Sequence, residues 1–213
     1  MAERKVKFAK NHFYHIFNCG VDKREIFSFP DDLARFLQSM DEFNTTKPIG
    51  SIFQNSFNPL RSSTPKDGKL VNFVCYCLNS NHYHFLLEQV ADNGIEKFMQ
   101  RLGTGYTNFF NHKNKRSGSL FQGRFKSIHI DSNEYLLHLS AYINLNDKAH
   151  QLGSSASKSS WGEYVGNNFG DFNFCKKDII LGQFKNKEEY KDFAEESLKI
   201  IREKKEIEKL LLE

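Results

Sequence analysis

Two β-rich runs, Val71–Leu78 (VNFVCYCL) and His82–Gln89 (HYHFLLEQ), are separated only by Asn79-Ser80-Asn81, a turn-forming triplet. Strands joined so closely pair as an antiparallel hairpin, because a parallel return needs a long crossover. The rest of the chain has to be arranged around that hairpin. His12 to Cys19 (HFYHIFNC) reads as an earlier strand ending at Gly20. Pro30 opens a helix with Asp31 and Asp32 in its first turn, and Leu33, Phe36, Leu37 and Met40 carry it to about Phe43. A second helix spans Ile95 to about His112, where Gly103 and Gly105 are expected to weaken or bend it. Arg124 to Ile130 forms a further strand, and Ser132 caps a third helix running from Glu134 to about Leu145.

That order predicts an α+β fold with a ferredoxin-like antiparallel sheet and helices packed on one face of it. Thr45 to Gly68 is rich in Ser, Asn, Pro and Gly and reads as a loop or insertion. His150 to Phe174 reads as a polar tail, and Lys187 to Glu213 as a C-terminal amphipathic helix that docks on the domain or on a partner. The chain therefore divides into a principal domain, 1–150, and an appendage, 151–213. With 213 residues and 39% apolar content it can build a real core. No apolar run approaches the roughly 18 residues of a membrane span, and the basic N-terminus has no apolar stretch behind it to act as a secretory signal. The four cysteines read as reduced thiols of a cytoplasmic protein.

The net charge of +4 is modest, but its distribution is not even. Met99 to Ile130 holds no Asp or Glu, yet carries Arg101, Lys113, Lys115, Arg116, Arg124 and Lys126. A field of that kind attracts a polyanion. Tyr106, Phe121 and Phe125 in the same stretch either stack on unpaired bases or pack in the core.

Strand alternation sends His82 and His84 to one side of the sheet. Two imidazoles there are either half of a divalent-metal site, completed by oxygen ligands, or two solvent-facing histidines. Cys75 and Cys77 on the neighbouring strand raise a zinc alternative, against which stands their reading as buried apolar thiols. On the third helix, Tyr142, His138 and Asn146 fall in one narrow arc. A tyrosine one turn before an amide suits attack on a phosphodiester beside a metal; the plainer reading is a core Tyr and a helix-ending Asn. His138 stays open between proton carrier, accessory ligand and surface residue.

Taken in order, NHYH followed by FLLEQ, then YTNFFNHKNKRSGSLFQGRFKSIHI, EYLLHLSAYINLNDKAH and SSWGEY, together with the early YHIFNCGVDKREIF, resemble the single-tyrosine HUH transposases, in particular their REP-associated branch. The resemblance covers roughly His12 to Tyr164. It implies a metal-dependent endonuclease and strand transferase acting on single-stranded or hairpin DNA through a 5′-phosphotyrosine. It further implies Tyr142 as nucleophile, His82, His84 and Asn146 as ligands of Mg²⁺ or Mn²⁺, and Lys113, Lys115, Arg116, Arg124 and Lys126 as DNA contacts. A cytoplasmic, nucleoid-associated monomer or homodimer with no membrane association is expected. The competing expectation is a non-catalytic relative that holds structured nucleic acid. The family usually has Met-Pro where this chain has Asn79-Ser80, a change expected to affect only the turn. It usually has Pro where Asp147 follows Asn146, and often Arg where Cys19 stands.

Overall fold

The computed structural model describes residues 6–57, 68–149, 157–166, 173 and 175–210. The elements, in order, are β1 (Phe13–Cys19), α1 (Pro30–Glu42), α2 (Ile52–Ser56), β2 (Val71–Asn79), β3 (His82–Gln89), α3 (Gly94–Lys113), β4 (Lys126–Ile130), α4 (Asn133–Asn144), α5 (Asn146–Ala149), β5 (Lys158–Ser159), α6 (Trp161–Val165), α7 (Asp178–Leu181) and α8 (Lys187–Leu210). A short 3₁₀ turn, Val21–Lys23, follows β1. The sheet is antiparallel with strand order β4-β1-β3-β2-β5. Its first four strands have the ferredoxin-like order, and β5 lengthens the β2 edge. Among the described residues no helix is long and apolar enough to cross a membrane.

The predicted hairpin forms the middle of this sheet. Ser80 in its turn accepts hydrogen bonds from the Ile26 and Phe27 amides at 2.7 and 3.0 Å, which ties the hairpin to the chain leaving β1. The Asp31–Asp32 signal works as helix-start chemistry predicts. The buried Asp32 carboxylate accepts from the Ser28 and Phe29 amides, each at 3.0 Å, and meets Lys113 Nζ at 2.6 Å. Ser132 caps α4 by accepting from the Tyr135 amide at 3.2 Å.

Two expectations are corrected. Helices cover both faces of the sheet, not one. Tyr14, Ile16, Phe73, Tyr83 and Phe85 pack under α1 and α3, through Phe36, Met40, Phe98 and Tyr106. Val74, Cys75, Cys77 and Leu86 pack on the other face under α4 and α8, through Leu139, Ile143, Tyr190 and Ala194. A strand like β2, buried along nearly all its length, needs a cover on each side. A register irregularity between Phe73 and Cys75 turns the consecutive Val74 and Cys75 toward the same core. The second correction concerns α3, which runs unbroken through Gly103 and Gly105. A Cβ at Gly105 would lie 2.5 Å from Phe43 Cε2, so glycine there admits the end of α1 rather than weakening the helix.

The stretch read as a polar tail contributes β5 and α6 where it is described; 150–156, 167–172 and 174 lie outside the described residues, as does the part of the 45–68 insertion from 58 to 67. Ser160 Oγ accepts from the Tyr76 amide at 2.9 Å and donates to Asn144 Oδ1 at 2.6 Å, joining this segment to β2 and α4. The C-terminal helix docks on α4. Tyr190, fully buried, brings its hydroxyl within 2.9 Å of Asn144 Nδ2 and 3.1 Å of Ser140 Oγ.

Candidate active site

The strand register arranges the face beneath α4 in rows. One row crosses the whole sheet: Lys126 on β4, Phe17 on β1, His84 on β3, Cys77 on β2 and Ser159 on β5. The next row sets Cys19, His82 and Asn79 side by side. His82 and His84 thus share a face, as alternation requires, with ring centroids 5.2 Å apart and planes nearly perpendicular. α4 lies across these rows and brings the Tyr142 ring to 5.7 Å from that of His84. The helix stops at Asn144, Leu145 departs from helical geometry, and Asn146 begins the short α5. Asn146 nonetheless turns back to the site, with Oδ1 at 3.4 Å from His82 Nε2. The structure therefore brings His82, His84, Tyr142 and Asn146 together.

Each imidazole is gripped from behind. His82 Nδ1 lies 2.6 Å from Asn81 Oδ1, while the amide nitrogen of Asn81 donates to the Lys23 carbonyl. An amide oxygen only accepts, so His82 carries its proton on Nδ1 and presents an Nε2 lone pair to the site. His84 Nδ1 lies 2.9 Å from Nε2 of His15, a residue buried on the same face of β1. Burial holds His15 down at a pKa of about 4, which keeps it neutral at physiological pH and able to accept from His84. Burial also raises the Tyr142 phenol above its ordinary range, an effect the adjacent Asn146 amide opposes. Tyr142 is accordingly a neutral phenol in this structure.

Among the described residues no three His, Cys, Asp or Glu side chains gather as a metal site. The available donor set is of another kind: two imidazole nitrogens and an amide oxygen. The 3.4 Å between His82 Nε2 and Asn146 Oδ1 compares with the roughly 3 Å separating adjacent ligands around an octahedral Mg²⁺-sized ion. These residues fit a divalent cation whose other positions go to water and phosphate oxygens. The zinc alternative does not fit. Cys75 and Cys77 are fully buried in the second core, and among the described residues they do not gather with His82 and His84 into a metal-holding group.

The remaining sequence candidates divide. His138 faces α8, with Nδ1 3.0 Å from Ser197 Oγ and its ring against Phe193, away from the other site residues. Lys113 is committed to Asp32. Arg116 holds the turn after α3, donating to Asn111 Oδ1 at 2.7 Å and the Ser119 carbonyl at 3.0 Å. Lys115 and Arg124 are exposed, and Lys126 reaches over Phe17 on the site face. Tyr106 is buried, donating to the Ile26 carbonyl. Phe121 and Phe125 line, with Arg124, an open cavity of about 840 Å³ beside α3.

Three residues around the dyad escaped the sequence reading: His15, Asn81 and Asn79. The first two need the β1–β3 register and the turn geometry, which no local pattern supplies. Asn79 corrects an expectation. Its exchange was expected to affect only the turn, but its side chain is fully buried inside the site, with Nδ2 2.7 Å from Asn146 Oδ1.

Comparison with known proteins bears on this arrangement. Residues 63–146 match the family model described as "Transposase IS200 like". A solved structure, the "REP associates tyrosine transposase bound to a REP hairpin", shares the fold with a TM-score of 0.53 at 12% sequence identity, covering 83% of this chain and 98% of that one. No curated protein matches the sequence.

Proposed function

We propose that this chain, whose residues 63–146 match the model of the IS200-like transposases, cuts and rejoins single-stranded DNA next to a hairpin, with Tyr142 as the nucleophile. The observation that carries this reading is the convergence of His82, His84 and Asn146 beside the Tyr142 phenol. The hairpin present in the structural neighbour supports hairpin DNA as the substrate.

Tyr142 Oη would attack the scissile phosphorus and give up its proton, forming a 5′-phosphotyrosine. The bond from phosphorus to the 3′ oxygen breaks, and that oxygen takes up a proton to leave as a 3′-hydroxyl. The covalent link conserves the phosphodiester, so the 3′-hydroxyl of another strand can reverse the step without nucleotide hydrolysis. His82, His84 and Asn146 would hold Mg²⁺ or Mn²⁺, which when bound would supply positive charge against the phosphate and the leaving oxygen. Asn81 and His15 keep the two imidazoles oriented with Nε2 forward. Lys126, in the same sheet row as His84, is positioned for the backbone of the incoming strand; Arg124 and Lys115 are exposed cations for its flanks.

The test is a labelled hairpin oligonucleotide from repeats flanking the gene, incubated with Mn²⁺ or EDTA and examined for an SDS-resistant adduct. The expected result is a metal-dependent adduct that Tyr142→Phe abolishes while binding persists. Undiminished adduct in Tyr142→Phe removes Tyr142 from the mechanism. Tight, salt-sensitive binding with no adduct in the unaltered protein supports the non-catalytic holder instead.

A further inference from the structure

Asn79 closes β2 and, by sheet register, stands directly opposite His82. Its side-chain nitrogen lies 2.7 Å from Asn146 Oδ1 and 2.9 Å from His82 Nε2, and those two atoms are 3.4 Å from each other. Three polar atoms thus form a triangle with edges of 2.7, 2.9 and 3.4 Å. Ligands that share a face of an octahedron around an ion at about 2.1 Å are about 3 Å apart. The triangle has the dimensions of one such face. Two of its corners carry lone pairs directed at the site. The third carries the amide N–H, the one positive end in the group.

We propose that Asn79 is a further ligand of the divalent cation, its amide turning over to present Oδ1 when the ion enters. This rests on the metal site described above and extends it by one residue. In this structure the Asn79 amide nitrogen meets the lone pairs of His82 and Asn146 at once, at the place an ion would serve them. The ion takes over that part, and the amide no longer needs to donate. The exchange requires rotation only about the terminal torsion, which is broad and roughly two-fold for an Asn side chain, because the amide oxygen and nitrogen are nearly equal in size. Little is lost on the other side. Asn79 Oδ1 accepts from the Cys77 thiol, at 3.7 Å, and a thiol is a weak donor. The added ligand is a neutral oxygen, suited to the hard cations Mg²⁺ and Mn²⁺.

Calorimetric titration of the DNA-free protein with Mn²⁺ tests this, using Asn79→Leu, Asn79→Asp and, as a control for the location of the ion, His82→Ala. Asn79→Leu is expected to bind Mn²⁺ at least about tenfold more weakly than the unaltered chain. Asn79→Asp is expected to bind at least as tightly, since it supplies an oxygen without any turnover. If Asn79 served only as a donor bracing its neighbours, Asp would fail with Leu, because a carboxylate cannot donate to Asn146 or His82. Weakened binding in both variants, or unchanged binding in Asn79→Leu, overturns the proposal while leaving the Tyr142 mechanism standing. Absence of any His82-dependent Mn²⁺ binding overturns the metal site itself and this extension with it. Should Asn79→Leu lose its fold by circular dichroism, the direction of the Asp effect decides.

Discussion

His15 does for His84 what Asn81 does for His82, but across a strand rather than along a turn. It lies in the row below, with Leu86 opposite it and Ile128 on its other flank. Replacing His15 with Leu leaves His84 Nδ1 facing a hydrocarbon and frees the ring to exchange its nitrogens. The expected outcome is a 10- to 100-fold slower metal-dependent adduct formation in single-turnover assays, about the cost of losing an outer partner of a metal ligand. His15→Gln, which restores an acceptor, is expected to recover part of it; equal rates in all three proteins would show that His84 orients itself. At this scale the sequence was legible wherever a single element settles the matter. His82 and His84 share a face in any strand, whereas the helical arc expected to join Tyr142 and Asn146 is broken at Leu145, and the turn there returns Asn146 to the site. His15 and Asn79 depend on which strand lies beside which and in what register, so they could not be read from spacing.

Among the elements, α8 has the clearest energetic role. Tyr190 is enclosed by α4, α6 and the Phe184 turn, with its ring 5.1 Å from that of Tyr164 and 5.2 Å from that of Phe184. Its hydroxyl accepts from Asn144 Nδ2, and both groups are fully buried. Tyr190→Phe preserves the packing but leaves the Asn144 N–H without an acceptor. A loss of about 1–3 kcal/mol is expected by urea unfolding, the cost of a buried polar group left unpaired. A loss near zero would mean that water replaces the hydroxyl. The pattern of apolar residues predicted most strands and helices within one or two residues of where they lie, because each is long and strongly periodic. It missed β5, which has only two residues and exists because Ser160 and Asn144 anchor it. It also missed the second helical layer. Apolar residues on both sides of β2 called for it, but which distant helix supplies the cover is a tertiary matter.

For the whole molecule, the basic stretch is less uniform than its composition suggests. Lys113 and Arg116 are spent on Asp32 and on the turn after α3, while Lys126 stands on the site face. Lys126→Ala is expected to weaken hairpin binding across sequences and to reduce the slope of log affinity against log salt by about 1. Lys113→Ala is expected to leave that slope unchanged and to lower stability instead, since it strands the buried Asp32 carboxylate. Equal slopes for the two variants would mean that the paired lysine is released on binding. The bracing of α4 by α8 has a consequence for timing. Ribosomes make Tyr142 and Asn146 well before Tyr190, so a growing chain carries its proposed nucleophile for a while without the helix that packs against the turn around it. If the proposed chemistry is this protein's, the centre around Tyr142 acquires its full packing only after α8 has folded back onto α4, so maturation of the site waits on the completion of that helix.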